Sequence, residues 1–151
     1  KKEALQMSDR IALMDGGQIL QYASPAEIFL HPANRQVAAY FGKANYIEGI
    51  VQKEQFESNY ISCEAKRYAD GKYELLVRPF DVKVIAGGSA VEIREITYLG
   101  ETVDLYLRDE KQTFYAQDIS ARIHAAGLME GAKAGIEFAP ESICLFPEEK
   151  E

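Results

Sequence analysis

The sequence has few of the residues that most often catalyse reactions, bind metals or cross a membrane. Among its 151 residues there is no tryptophan, and there are only two histidines and two cysteines. No window approaches the roughly 20 apolar residues that span a bilayer. The start of the chain, residues 1–6, is too polar for a secretory signal. These absences exclude a transmembrane segment, and we expect a soluble, globular chain.

The scarce cysteines and histidines form no pattern typical of a metal site. Cys63 and Cys144 lie in separate apolar runs, which favours two buried, reduced thiols over a disulfide. His31 and His124 are far apart and fit no Cys/His or His/Glu ligand spacing. Neither of the two glycine pairs is followed by the lysine and hydroxyl residue of a phosphate-binding loop. We therefore predict no catalytic residue, metal site or cofactor site within this chain.

Acidic residues outnumber basic ones, and the excess is uneven. The chain has 17 Lys and Arg against 24 Asp and Glu. Residues 1–43 are nearly neutral, whereas residues 44–151 have a net charge of −8. Such a surface repels phosphate backbones, which nucleic-acid-binding proteins attract with clustered Lys and Arg. The charge therefore argues against a nucleic-acid partner.

Residues 1–43 have the pattern of a small α/β unit. Residues 3–9 predict a helix, and two apolar runs around Asp15-Gly16-Gly17 predict a hairpin. Ser24-Pro25-Ala26-Glu27 predicts the start of a helix, and Pro32 predicts its end. A second helix is predicted over 35–41 and ends at Gly42. This unit alone would expose apolar residues. It could cover them by packing on the rest of the chain or on a second copy, and we predict that it is poorly ordered or recruited to a dimer. These apolar residues are Leu5, Ile11, Leu13, Ile28 and Phe29.

After Gly42 the pattern changes to the two-residue period of strands. Asp70-Gly71 predicts a tight turn joining strands over 60–65 and 72–77. Between residues 91 and 98 the apolar phase shifts, which predicts a β-bulge near Arg94-Glu95. Seven or eight short strands in about a hundred residues are typical of a small barrel or sandwich. We therefore predict a domain boundary that separates 1–43 from 44–151.

Short motifs in the first 49 residues occur in a characteristic order: Glu3-Ala4, Ser8 to Ile19, Gln21, Ser24 to Ile28, Pro32, Val37 to Gly42, Asn45 and Gly49. This order resembles the end of the nucleotide-binding domain of ABC transporter ATPases, of the importer type that carries a C-terminal extension. The resemblance implies that the family's switch histidine, which contacts the ATP γ-phosphate, would fall two residues before Lys1.

Three later motifs resemble that extension, the TOBE (transport-associated OB) domain: Leu76-Val77-Arg78-Pro79, Tyr98-Leu99-Gly100 and Pro140-Glu141. The family usually has Glu after the arginine-proline pair, where this chain has Phe80, and residues 117–130 match no part of it. The implied fold is mainly β, an OB-like small barrel or sandwich preceded by a short α/β tail of an ABC ATPase domain.

The resemblance also implies a function. Residues 44–151 would be a dimerisation or regulatory region of the ATP-hydrolysing subunit of an importer, not catalytic alone. ATP and Mg would be cofactors of the parent protein. The implied partners are a second copy and the transmembrane permease, and the implied location is the cytoplasmic face of the cell membrane, without direct insertion. Among possible substrates we prefer polyamines or iron over sugar, sulfate, molybdate or phosphonate.

Three residues are candidates for an interface or ligand role: Asn45, Arg78 and Glu141. Gly42-Lys43-Ala44-Asn45 resembles the start of oxyanion-binding molybdate modules, but Asn45 is better interpreted as satisfying backbone groups where helix gives way to strand. For Arg78 we expect an ion pair with Asp81 or Glu141. An alternative function is a free-standing OB-type module that binds a small anion, such as molybdate, or a saccharide.

Overall fold

The computed structural model describes residues 9–148, in which a small N-terminal unit precedes a sandwich of two five-stranded antiparallel sheets. The architecture is mainly β and is an open sandwich rather than a closed barrel. This agrees with the OB-like class predicted from the sequence. No helix among residues 9–148 is long and apolar enough to span a membrane. The helix predicted over residues 3–9 and the position of Leu5 lie outside the part just described.

The N-terminal unit consists of a hairpin and two short helices, as predicted. Strands β1 (Ile11–Asp15) and β2 (Gln18–Ala23) pair across Gly16 and Gly17, which both have positive φ. Helix α1 (Pro25–Leu30) begins at Ser24, whose Oγ accepts a hydrogen bond from the Glu27 amide at 3.3 Å. Helix α2 is Arg35–Tyr40 and is capped by the Asn34 side chain. Local turn and capping chemistry therefore determines this unit.

Some of the apolar residues of this unit are covered by its own elements. Ile11, Leu13, Ile28 and Val37 form one small buried cluster. Ala38 instead joins a second cluster with residues of the sandwich, so that α2 packs on the β domain. Of the apolar residues expected to need cover, Phe29 stays partly exposed. The unit thus packs on the rest of its own chain, whereas the sequence predicted a poorly ordered unit or one recruited to a dimer.

The first sheet has the order β12-β6-β3-β4-β5. Its strands are β3 (Asn45–Gln52), β4 (Gln55–Ser58), β5 (Ser62–Glu64), β6 (Gly71–Val77) and β12 (Leu145–Pro147). The second sheet has the order β10-β9-β8-β11-β7. Its strands are β7 (Val82–Ile85), β8 (Val91–Tyr98), β9 (Thr102–Arg108), β10 (Thr113–Ile119) and β11 (Lys133–Phe138). A single 3₁₀ turn, Pro79–Asp81, connects β6 to β7 and so joins the sheets.

The core lies between the two sheets and follows their two-residue period. Alternate residues of β3, β9 and β10 face the core, and the large rings of Phe56 and Phe114 lie in it. The predicted bulge is present, because the register of β8 against β9 shifts between Ile93 and Glu95. Both cysteines are free; Cys144 is buried and Cys63 is partly buried.

One predicted turn is wrong. Asp70-Gly71 does not join neighbouring strands, because β5 pairs with β4 and β6 pairs with β3. The Asp70 carboxylate instead accepts a hydrogen bond from the Lys53 amide at 3.0 Å, so it stabilises the β3–β4 turn. That turn consists of Lys53 and Glu54, both at positive φ, and has none of the glycine or asparagine by which sequence reasoning finds such turns.

The segment 117–130, which matched no part of the resembled family, completes β10 and then forms a short helix. Helix α3 is Ser120–Ala125, and it buries Ile123 against the core. Its Arg122 is bound to Asp118, which is buried at the end of β10. His124 lies on this helix and is exposed.

Candidate functional site

A cavity of about 530 Å³ lies where the N-terminal unit meets the sandwich. Its walls come from α1, the link between α2 and β3, the 3₁₀ turn, β9, β10 and the loop before β12. Arg78 and Glu141, two of the three predicted site residues, line it; Asn45 does not. The cavity forms here because the 3₁₀ turn brings Arg78 and Asp81 against the helices of the N-terminal unit.

Arg78 is the residue that connects the two parts. It is 7% exposed, and its guanidinium donates hydrogen bonds to the carbonyl oxygens of Ala38 at 3.0 Å, Phe29 at 3.2 Å and Lys43 at 3.4 Å. Its Cζ also lies 4.5 Å from the centre of the Phe29 ring. The carbonyl groups of Phe29 and Ala38 are near the ends of α1 and α2, where carbonyl oxygens lack helical partners and favour a cation.

The expected ion pair of Arg78 with Asp81 or Glu141 is not formed. Among residues 9–148, Arg78 takes part in no salt bridge, and backbone carbonyl groups occupy its terminal nitrogens. Burial lowers the pKa of Arg78, and the neighbouring Tyr46 and Cys144 partly offset this. Its Nε–H is buried without a hydrogen-bond partner among the described residues. The sequence motif located the residue, but not its partners.

Asn45 lies beneath the cavity, where it joins the two sheets. Its side-chain Nδ2 donates to the carbonyl oxygens of Val77 at 3.1 Å and Tyr115 at 2.8 Å, and its Oδ1 accepts from the Tyr115 amide at 2.7 Å. The amide group is therefore engaged with backbone on both sides. This is the structural interpretation favoured from the sequence, and an interface or ligand role for Asn45 stays a prediction.

The acidic residues of the cavity have no cationic partner. Among residues 9–148, no ion pair or side-chain hydrogen bond involves the carboxylate of Asp81, Asp104 or Glu141. Burial raises the pKa of Asp81; the charge of Lys83 opposes this rise and that of Glu141 adds to it. The ionised form of Asp81 is therefore less stable in the cavity than it would be in water.

Several lining residues were not among the three predicted site residues. The rings of Phe29, Phe80 and Tyr115 form its apolar surface, and Lys43 Nζ lies 4.8 Å from the centre of the Tyr115 ring. Phe80, which replaces the family's usual Glu, is 43% exposed. The available signal for two of them was their position in the sequence. Phe80 directly follows the arginine-proline pair, and Lys43 directly follows the glycine that ends the second helix. Within residues 9–148 no group of His, Cys, Asp and Glu side chains could bind a metal ion.

The fold is similar to that of one solved protein. A solved cytoplasmic molybdate-binding protein superposes with a TM-score of 0.53, and the match covers 69% of this chain and 96% of that protein at 12% identity. At this identity the likeness shows the fold alone, an OB-type module. No family model matches the chain.

Sequence comparison identifies the relatives. The chain is 37% identical over 123 residues to the spermidine/putrescine import ATP-binding protein of Rubrobacter xylanophilus. This match covers 72% of the chain and 33% of that protein. It is 27% identical over 151 residues to the protein of the same name from Aster yellows witches'-broom phytoplasma, covering 95% of this chain and 34% of that protein. A sulfate/thiosulfate import ATP-binding protein of Rhizobium meliloti is 33% identical over 99 residues, 64% of this chain and 28% of that protein.

The chain is therefore a member of the ABC importer ATP-binding subunits and matches their C-terminal part, as the resemblance predicted. It spans about a third of the length of these curated relatives.

Proposed function

We propose that the chain is the C-terminal accessory region of the ATP-hydrolysing subunit of a polyamine importer. The observation that carries the proposal is the similarity to spermidine/putrescine import ATP-binding proteins over 72% and 95% of the chain. Of the two substrates preferred from the sequence, polyamine and iron, these relatives favour polyamine. ATP and Mg would bind in the catalytic part of the parent protein.

In this proposal the N-terminal unit completes the nucleotide-binding domain. Its hairpin exposes Met14, Ile19 and Tyr22, which are large apolar residues. Within residues 9–148 the two hairpin strands pair only with each other. An exposed apolar face on a two-stranded ribbon needs a covering surface to be stable in water. The remainder of the nucleotide-binding domain would provide that surface and would place residues 44–151 on its outer side, at the cytoplasmic face of the membrane.

The sandwich would contact a second copy of the subunit. Tyr98, Leu99 and Ile119 are 51%, 56% and 55% exposed. Tyr98 and Ile119 flank the β8–β9 turn, because Tyr98 pairs with Val103 and Ile119 with Thr102. An apolar patch at the tip of a rigid sheet is suited to a two-fold contact, in which each copy presents the same surface.

The transport proposal is tested with the complete subunit and its permease reconstituted in proteoliposomes. We expect ATP-dependent uptake of labelled putrescine or spermidine, and no uptake of sulfate, with ATP hydrolysis stimulated when substrate and binding protein are present. Uptake of sulfate or iron instead of polyamines would reject polyamine as the proposed substrate. Absence of ATP hydrolysis by the complete subunit would reject the importer assignment itself.

The dimer contact is tested by sedimentation of the chain over a range of concentrations. We expect a concentration-dependent dimer that Leu99→Glu abolishes, because a charge at the patch cannot be desolvated without a partner. Ile19→Glu, which adds the same charge to the exposed hairpin, is the matched control and should leave the dimer intact. A monomer at every concentration contradicts the proposed contact.

The alternative, a free-standing module for a small anion, is supported by the fold of the molybdate-binding neighbour. The hydrogen bonds of Asn45 argue against this alternative. Asn45 belongs to the stretch of sequence that suggested it, and its side-chain amide is already bound to backbone groups of Val77 and Tyr115. Titration of the chain with molybdate distinguishes the two functions. Saturable binding would favour the module.

A further inference from the structure

The junction cavity contains charges of both signs that are not paired with each other. Its lining includes the cations Arg78 and Lys43 and the carboxylates of Asp81, Asp104 and Glu141. No salt bridge among residues 9–148 joins any of these five residues. Charged groups that converge on a cavity without neutralising one another are available to a ligand that carries both charges.

Arg78 provides a second, independent observation. Although the residue is 7% exposed, its Nε–H has no acceptor, and a buried donor left unpaired costs free energy. Beside it a small void of about 20 Å³ is lined by Arg78, Asp81 and Glu141. This volume accommodates roughly one water-sized group. The residue with the unpaired donor thus also lines a space that a single water-sized group can fill.

The apolar surface of the cavity defines the rest of the ligand. Phe29 and Phe80 lie on the side of Arg78 and Asp81, and Tyr115 and Leu105 lie on the side of Lys43. A volume of about 530 Å³ falls in the usual range for small-molecule sites. Aromatic rings prefer to pack against other rings in offset or edge-on geometry. The cavity therefore matches a small molecule with an apolar body of the size of one aromatic ring.

We propose that the cavity is a binding site for an α-amino acid with an apolar side chain. Its carboxylate would face Arg78 and Lys43, its ammonium group would face Asp81 and Glu141, and its side chain would pack on Phe29 and Phe80. A molecule with only one of these charges would leave the opposite set unpaired, so the pairing of charges distinguishes an amino acid from a simple amine or acid.

The site spans the N-terminal unit and the sandwich, so its ligand would stabilise the junction between them. A ligand that contacts both parts binds best when they are docked, and it favours that arrangement in proportion to its concentration. In the importer this gives a regulatory input at the attachment of the extension. That consequence rests on the proposed function; the binding itself does not.

The direct test is NMR titration of the ¹⁵N-labelled chain with three molecules that share one body: L-phenylalanine, 2-phenylethylamine and 3-phenylpropionate. We expect L-phenylalanine to shift the Arg78 Nε–H resonance and the amide signals of residues 78–81, with a Kd of roughly 1 mM or tighter. The amine and the acid should each bind about tenfold more weakly, a difference of one charged contact. Putrescine is the fourth probe, because it represents the simple cation.

Two exposed residues separate the roles of the charges without disturbing Arg78. Glu141→Gln should weaken phenylalanine and phenylethylamine about tenfold and leave phenylpropionate unchanged, whereas Lys43→Gln should weaken phenylalanine and phenylpropionate. Glu110→Gln, a change of the same kind in an exposed turn outside the cavity, should alter none of them. This crossed pattern would establish the orientation of the ligand.

The proposal fails if phenylalanine shifts none of these resonances, or if neither variant changes its affinity. It also fails if putrescine binds more tightly than phenylalanine, since the site would then recognise a simple cation. A result in which only water occupies the void beside Arg78, with no shift by any probe, likewise rejects it. Because binding is measured on the chain alone, failure here is distinct from failure of the transport assay.

Discussion

Asn45 and Tyr115, separated by 70 positions in the chain, are joined by two hydrogen bonds between the Asn45 side-chain amide and both backbone groups of Tyr115. Asn45 is the first residue of β3 in one sheet, and Tyr115 lies in β10 at the edge of the other. The side chain thus pairs with the backbone of β10 as a neighbouring strand would. It covers an edge position that would otherwise leave a backbone amide unpaired beneath the cavity.

Asn45→Ala should lower the free energy of unfolding by about 3 kcal/mol, because the Tyr115 amide and two carbonyl groups lose their partner in a buried position. Urea denaturation of the variant measures this. Asn59→Ala, in an exposed loop, is the control and should change stability by less than about 0.5 kcal/mol. Equal stabilities of the two variants would mean that Asn45 does not hold the sheets together.

Arg78→Lys should loosen the N-terminal unit while leaving the sandwich folded. A lysine cannot reproduce the planar fork that reaches three carbonyl oxygens, and we expect a loss of about 2 kcal/mol. Hydrogen exchange should become faster in α1 and α2 and stay unchanged in β8 and β9. The exposed Arg108→Lys is the matched control. Uniformly faster exchange throughout the chain would contradict a local role.

Asp118 should contribute to stability at neutral pH and lose that contribution in acid. Burial alone would raise its pKa, but hydrogen bonds from Arg122 and from the Ile119 amide outweigh it and hold the pKa below its usual value. The contribution is complete above the unfolded-state pKa of about 4 and declines as pH falls through the folded-state value. Asp118→Asn should therefore flatten the loss of stability below about pH 4, measured by urea midpoints.

Asp81→Asn should change the pH dependence of stability in the direction opposite to that of Asp118→Asn. The pKa of Asp81 is raised, chiefly by burial, so the folded chain binds its proton more readily than the unfolded chain does. Stability associated with this group is lost as pH rises through the unfolded-state and then the folded-state pKa. The asparagine variant should remove that loss. If the two aspartate variants shift the pH curve in the same direction, the assignment of their environments is wrong.

Glu54→Gly should stabilise the protein even though it removes a side chain. Glu54 has a φ of 60°, a conformation costly for L-residues and free for glycine, and we expect a gain of about 0.5 to 1 kcal/mol after the entropy of glycine is included. Thermal unfolding measures the gain. Glu48→Gly, in the middle of β3 and without a positive φ, should lower stability instead. A destabilised Glu54→Gly variant would show that the turn is not strained.

The features predicted correctly from the sequence are those with a local signal. The hairpin turn at Gly16, the cap at Ser24 and the bulge near Arg94 depend on neighbours within a few positions, and the structure confirms each. The family resemblance also depended on short motifs at fixed spacing. The overall class of the fold followed from the two-residue period after Gly42.

The features that were missed depend on contacts across the chain. A strand was predicted to begin near Asn45, but its extent over residues 45–52 was not, because Gly49 interrupts the alternation. A Cβ at Gly49 would meet the Phe56 ring and the Glu57 carbonyl oxygen. The partners of Arg78 lie 35 to 49 positions away and are backbone carbonyl groups, which sequence patterns do not reveal. The cavity, built from six separate segments, has no signal in any one of them.

The hydrogen bonds of Arg78 have a mechanical consequence. One rigid, planar group is attached at the same time to the end of α1, the end of α2 and the link into β3. A rotation of either helix against the sandwich would break these charge-assisted bonds. We therefore expect the N-terminal unit and the sandwich to move as one rigid body, with Arg78 at their junction.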